Sequence, residues 1–213
     1  RDFDAAVART RSRPIPSGQV SVKQAVVWMF AQILLAGLIL LSFNLPAILL
    51  GLASLVLVAI YPFAKRFTWW PQVFLGLAFN WGALLAYVAH AGRLEWPAVL
   101  LYLSGIAWTL FYDTIYAHQD KEDDVLIGVK ATARLFGAAT GRWLAVFLVL
   151  SVLLMALAVL VALLPVAGIV KLCLALVAPW SLGWHLLWQS GRLDIADPEN
   201  CMRIFRTNRD AGL

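Results

Sequence analysis

An all-α, multi-span transmembrane helix bundle is the fold class this chain predicts, and three observations predict it. The 213 residues are 62% hydrophobic and only 14% charged, with a mean hydropathy of +0.80. A soluble domain of this size has nowhere to bury that much apolar surface. The apolar residues fall into six runs, each of roughly the length that crosses a hydrocarbon core of about 30 Å. The charges between the runs are also one-sided. With six crossings, fifteen of the 17 Lys and Arg lie on one face; Arg93 and Lys171 are the exceptions. By the positive-inside rule that face is cytoplasmic, or matrix in a mitochondrion, so an inner membrane is the expected location. The basic excess needs no nucleic-acid partner to explain it; the lipid bilayer is the partner it implies.

In chain order, residues 1–23 are polar and basic, with Pro14, Pro16 and Gly18 breaking any helix. The first span is expected over 24–43. Asn44 and Pro46 turn the chain into a second, 46–60. A polar loop, 61–70, carries Lys65 and Arg66. The third span is 71–90, and Gly92 to Glu95 turns it into the fourth, 97–113. The second and fourth are short for a bilayer. A long charged loop is expected over 114–140. Spans five and six follow at 143–163 and 166–188 with a turn at Pro165, and 190–213 are again polar. Trp28, Trp69, Trp70, Trp96, Trp143 and Trp188 fall near span ends, where an aromatic belt accounts for them. Cys173 and Cys201 have neither metal-type spacing nor a reason to pair. No initiator Met or signal peptide is visible, so the chain reads as an internal piece forming a single, incomplete domain over 1–213.

Eleven of the twelve acids also lie on the basic face. Acids do not set topology, so their clustering calls for another reason. The densest stretch, Asp113 to Asp124, directly follows span four. At about 100° per residue, Asp113, Asp120 and Asp124 share one stripe of a helical wheel, with Tyr116 at its edge. Carboxylates so placed repel one another, and a hard, oxygen-preferring divalent cation removes that cost. Mg²⁺ is the usual choice where phosphate is also present. A solvated acidic loop is the alternative. Asn80, a mid-span amide between Phe79 and Trp81, is expected to face a cavity or a partner helix. His118 and His185 lack a paired ligand and read as structural.

Two stretches carry a family resemblance. Asp113-x-x-Tyr116-x-x-x-Asp120, followed by Asp123-Asp124, Gly128 and Lys130, resembles the second aspartate motif of UbiA-type aromatic prenyltransferases. Asp4-x-x-Val7-x-Arg9-Thr10-x-x-Arg13-Pro14 resembles the tail of their first. Tyr61-Pro62-x-x-Lys65-Arg66-x-Thr68-x-Trp70-Pro71-Gln72, Gly76-x-x-Phe79-Asn80-Trp81-Gly82, Pro198-x-x-Cys201 and Phe205-x-x-Asn208 look like the branch acting on 4-hydroxybenzoate. The resemblance implies six of nine helices, with two expected before Arg1 and one after Leu213. It implies Mg²⁺-dependent transfer of a polyprenyl group from polyprenyl diphosphate to 4-hydroxybenzoate, ortho to the hydroxyl, in ubiquinone biosynthesis. Asp4, Asp113, Asp120 and Asp124 would hold the metal. Tyr116 would serve the diphosphate or the allylic cation. Arg13, Lys65, Arg66, Asn80, Lys130 and Arg134 would contact substrate. Ala131 stands where the family has Ser, and Thr132 beside it is expected to supply the hydroxyl. Homogentisate, naphthoate and haem are the alternative acceptors. A transporter is the rival from another class, but its acids would sit at mid-membrane rather than at one face.

Overall fold

The computed structural model describes residues 12–119, 121, 128 and 130–211, with the side chain of Lys65 left out. The described residues are helical, without strands. Six helical segments are long and apolar enough to cross a membrane: Val22–Leu41, Leu45–Phe63, Pro71–Ala91, Trp96–His118, Thr132–Leu163 and Ile169–Arg192. The chain is a multi-pass membrane protein.

Helix α1 (Val22–Leu41) starts at a capping box. Ser21 Oγ accepts from the Gln24 amide at 3.2 Å and Gln24 Oε1 accepts from the Ser21 amide at 3.0 Å. Apart from Lys23, Gln24 and Gln32 the helix is apolar, and it buries no residue, which suits lipid on most of its surface. Asn44 caps α2 (Leu45–Ile60) through the Ala47 amide and donates to the Val88 and Ala89 carbonyls. A 3₁₀ turn, Tyr61–Phe63, lengthens this span to 19 residues, so it is not short. The small helix α3 (Ala64–Phe67) follows.

The third span is two helices, α4 (Pro71–Phe79) and α5 (Trp81–Ala91), broken at Asn80. Gly92, at φ +73°, ends α5 in the left-handed region that glycine tolerates. Helix α6 (Trp96–His118) is the centre of the bundle. At 23 residues it is not short either, and it carries Asp113 and Tyr116 on regular helix where a loop was expected from 114. The expected loop also holds α7 (Thr132–Phe136). Helix α8 (Thr140–Leu163) returns across the membrane. The last span is α9 (Ile169–Ala175) and α10 (Val177–Arg192). Pro179 explains the break, because it has no N–H to offer the Ala175 carbonyl. Two helices in the expected polar tail, α11 (Pro198–Arg206) and α12 (Asn208–Ala211), complete the described chain.

Helices α4, α5, α7, α8 and α11 all pack on α6. Its apolar side enters a core with Phe136, Leu144, Phe147, Leu182, Leu186, Cys201 and Ile204. Lipid supplies no hydrophobic drive between helices, so small residues and polar clasps hold them. A Cβ on Gly76 would come within 3.3 Å of the Ile106 backbone, which marks the close approach of α4 to α6. Ser104 Oγ donates to the Ser151 carbonyl at 2.8 Å, joining α6 to α8. Trp70 and Trp143, expected in the belt, also join a ring cluster. They pack with Phe136 and Phe147 at ring separations of 4.8–6.4 Å, because α7 folds back over them.

This topology makes a direct prediction. In a Cys173→Ala background, in which the remaining Cys201 is buried, single cysteines at Ser17, Lys65, Gln119 and Arg206 are expected to label from one side of the membrane, and one at Arg93 from the other. Labelling of positions 65 and 119 from opposite sides would refute the six-span count.

Candidate functional site

The regular helix of α6 sets the site. Asp113 is half-buried near its C-terminal end, one turn beyond Thr109. Tyr61, at the end of span two, lies within electrostatic reach of Asp113 and Tyr116. Tyr112 stands in the same relation to Asp113 and Tyr61. Tyr61 therefore has Tyr112, Asp113 and Tyr116 of α6 within electrostatic reach. The Tyr116 ring is 4.7 Å from that of Phe205 on α11, and the Tyr112 ring is 5.9 Å from it.

Thr114, next to Asp113, is held 2.8 Å from Thr132, hydroxyl to hydroxyl, with both side chains fully buried. Thr132 follows Lys130 by two residues and precedes Arg134 by two, so this bond pins the basic segment beside the acidic end of α6. It also corrects the expectation that Thr132 supplies a free hydroxyl. Lys130 Nζ donates to the Phe67 carbonyl at 3.4 Å and lies 5.9 Å from the Trp69 ring centre; the Arg134 guanidinium is 5.4 Å from the same ring. Trp69 thus gathers the cations of one loop beside the loop that carries Lys65 and Arg66. Arg66 itself turns to Phe63, at 5.7 Å.

Asn80 combines its two expected roles. Its Nδ2 donates to Gly76 O at 2.9 Å and to Thr109 Oγ1 at 2.8 Å, and Thr109 also accepts from the Tyr112 hydroxyl at 3.2 Å. Asn80 also lines a cavity of about 820 Å³ beside α6, with Ser104, Trp108, Trp184, His185 and Thr207. Arg13 is exposed and lines a separate cavity of about 750 Å³ with Pro14, Pro16, Gln24 and Trp28. Gln72, in the Trp70-Pro71-Gln72 motif, is 2% exposed, and its Oε1 has no hydrogen-bond partner among the described residues.

Asp4, Asp120 and Asp124 lie outside the described residues, as does the side chain of Lys65. Among the described residues no three His, Cys, Asp or Glu come together as a metal site. Chemistry decides the fit instead. His118 is buried and hydrogen-bonds Thr140 at 3.1 Å. Burial and the nearby Asp197 and Asp194 carboxylates push the Cys201 thiol up to about 11, so it stays a thiol rather than a thiolate ligand. Among the described residues near the C-terminal end of α6, the Asp113 carboxylate and the Tyr61, Tyr112 and Tyr116 hydroxyls offer oxygen, the donor type of a hard cation.

Sequence reasoning missed Tyr61, Tyr112, Thr109, Trp69 and Phe205 as site residues. Phe205 had a readable signal: Cys201, Ile204, Phe205 and Asn208 follow helical spacing.

The profile of the UbiA prenyltransferase family matches residues 1–209. The chain belongs to the UbiA prenyltransferase family. Prenyltransferases of this family generally depend on a divalent metal, in keeping with the oxygen donors at the end of α6. The chain is 48% identical over 220 residues to "4-hydroxybenzoate polyprenyltransferase, mitochondrial" of Bos taurus, covering 100% of this chain and 56% of that one. It is 46% identical over 218 residues to the protein of the same name from Drosophila melanogaster, covering 100% and 53%. The chain thus spans about half the length of the curated relatives it matches. Among solved structures, the apo form of a UbiA homolog from Aeropyrum pernix K1 superposes with a TM-score of 0.73 at 21% identity, covering 98% of this chain and 80% of that one. A digeranylgeranylglyceryl phosphate synthase superposes at 0.65 and 19% identity, covering 99% and 72%. These two likenesses establish the UbiA fold.

Proposed function

We propose that the protein transfers a polyprenyl group from polyprenyl diphosphate to the ring of 4-hydroxybenzoate, ortho to the hydroxyl, giving 3-polyprenyl-4-hydroxybenzoate in ubiquinone biosynthesis. The observation that carries this reading is the end of α6: Asp113 within electrostatic reach of Tyr61 and Tyr112, pinned through Thr114 and Thr132 beside Lys130 and Arg134. The relatives named 4-hydroxybenzoate polyprenyltransferase, at 45–48% identity across the whole chain, support the acceptor. We place the protein in an inner membrane, with the site on its cytoplasmic or matrix face, and treat 1–213 as part of one transmembrane domain.

In this reading Asp113, Asp120 and Asp124, with Asp4 from the opposite motif, would hold Mg²⁺, which would supply positive charge against the diphosphate. Lys130 and Arg134, with Lys65, Arg66 and Arg13, take diphosphate oxygens or the benzoate carboxylate. The C–O bond of the prenyl diphosphate breaks and its electron pair departs with the diphosphate. Tyr116 presents its ring face to the allylic cation. The acceptor carbon beside the phenol supplies the pair for the new C–C bond and then loses its proton. Asn80, on the wall of the cavity beside α6, contacts substrate.

The test is an assay of the full-length protein in membranes with 4-hydroxybenzoate and labelled prenyl diphosphate. Product is expected with Mg²⁺, lost on chelation, and restored when Mg²⁺ is returned. Prenylation of homogentisate or a naphthoate but not of 4-hydroxybenzoate would overturn the acceptor. Undiminished product in chelator would overturn the metal.

A further inference from the structure

We infer that the segment after the last span belongs to the catalytic machinery, with Phe205 as the positioning residue that sets the ring of Tyr116. The inference rests on the reaction proposed above. Helix α11 is amphipathic, and its Cys201 and Ile204 are buried in the same core as Phe111 and Ile115 of α6. The turn that brings it back is stitched at several points. Asn200 Oδ1 accepts from the Asp194 amide at 3.0 Å, Asn200 Nδ2 donates to the Arg192 carbonyl at 3.2 Å, and the Cys201 thiol donates to the Asp194 carbonyl at 3.4 Å. Asp197 caps the helix through the amides of Glu199 and Asn200.

The far end of α11 is held just as firmly. Gln189 of α10 is fully buried, and its amide donates to Thr207 Oγ1 at 2.7 Å and to the Ile204 carbonyl at 3.3 Å. Asn208 Oδ1 accepts from Trp108 Nε1 of α6 at 3.0 Å. Phe205 lies between these two anchors. Its ring meets Tyr116 at 4.7 Å, tilted by 52°, and Tyr112 at 5.9 Å.

This arrangement fits a positioning role better than simple packing. The apolar core is already closed by Cys201 and Ile204, and Phe205 is only half-buried. The rings it touches are those around Asp113. A helical tyrosine has more than one staggered rotamer, and a tilted aromatic neighbour on a rigid helix favours one of them. A group that must face an allylic cation loses effectiveness when misplaced by about 1 Å, so the consequence falls on turnover rather than on substrate capture.

The test compares wild type, Phe205→Leu, Phe205→Tyr, Tyr116→Leu and the Phe205→Leu/Tyr116→Leu double variant in the full-length protein, reading kcat, KM for prenyl diphosphate and the amount of folded protein. Phe205→Leu is expected to lower kcat about tenfold, with KM changed by less than about twofold and folded protein retained. Phe205→Tyr, which keeps the ring, is expected to stay near wild type. In the Tyr116→Leu background, Phe205→Leu is expected to cost less than about twofold more. An unchanged kcat in Phe205→Leu, a full tenfold loss in both backgrounds, or a loss that only tracks folded protein would each overturn the inference. If the wild type uses a different aromatic acceptor, the acceptor proposed above falls and the same comparison is run with the one it uses. A wild type that transfers to no acceptor overturns both.

Discussion

Exchange of Asp113 for Asn is expected to remove at least about three orders of magnitude of turnover while leaving the protein inserted and folded. The substitution keeps shape and removes charge. Asp113 is half-buried on regular helix. Its helical neighbour Thr114 is tied to Thr132 and its neighbour one turn back, Thr109, is tied to Asn80, so the backbone has no reason to move. What changes is the negative potential at the C-terminal end of α6. A metal-bound diphosphate leaves only if its charge is offset throughout, and losing one carboxylate from that set removes about 4 kcal/mol of stabilisation, or about a thousandfold in rate. The measurement is turnover per inserted protein, over a range of Mg²⁺ concentrations. Activity within tenfold of wild type in a correctly folded variant would remove Asp113 from the metal set.

The fold was largely legible because the bilayer is a demanding solvent. It requires long apolar helices, and the one-sided Lys and Arg give their order a direction. The ends of the spans were less legible. Helix α6 continues through Asp113 to His118 because α7, α8 and α11 cover that end, and hydropathy is blind to such cover. The same cover packs Trp70 and Trp143 into a ring cluster that hydropathy does not show. Half of the candidate site was visible as a stripe on one helix, since Asp113 and Tyr116 share local periodicity. Tyr61 and Phe205 come from positions about fifty and ninety residues away in sequence, and no local pattern joins them to Asp113 before the chain folds. Asn80 was legible as a polar group at depth. Its bond to Thr109 was not, because that depends on how closely α4 and α5 approach α6.

That closeness leads to the second large effect, at Gly105. A Cβ built on Gly105 would lie 2.3 Å from Asn80 Oδ1 and 2.7 Å from its Cγ, well inside any real contact. The amide cannot swing aside cheaply, because its Nδ2 is committed to Gly76 O and Thr109 Oγ1. Nor is the local backbone free, since Asn80 is the joint between α4 and α5. Gly105→Ala must therefore push that joint off α6 or break the Asn80–Thr109 bond. Overpacking and the lost hydrogen bond together are expected to cost about 2–4 kcal/mol. The damage would reach the site, because Thr109 also holds the Tyr112 hydroxyl one residue before Asp113. Thermal unfolding in detergent or nanodiscs reads the stability and prenyl transfer reads the site. Removing the obstruction should relieve the strain. Asn80→Ala/Gly105→Ala is expected to be more stable than Gly105→Ala alone, with the two changes departing from additivity by about 1–3 kcal/mol. A Gly105→Ala protein as stable as wild type, or a double variant whose losses simply add, would show that the contact between these helices is looser than the 2.3 Å approach requires.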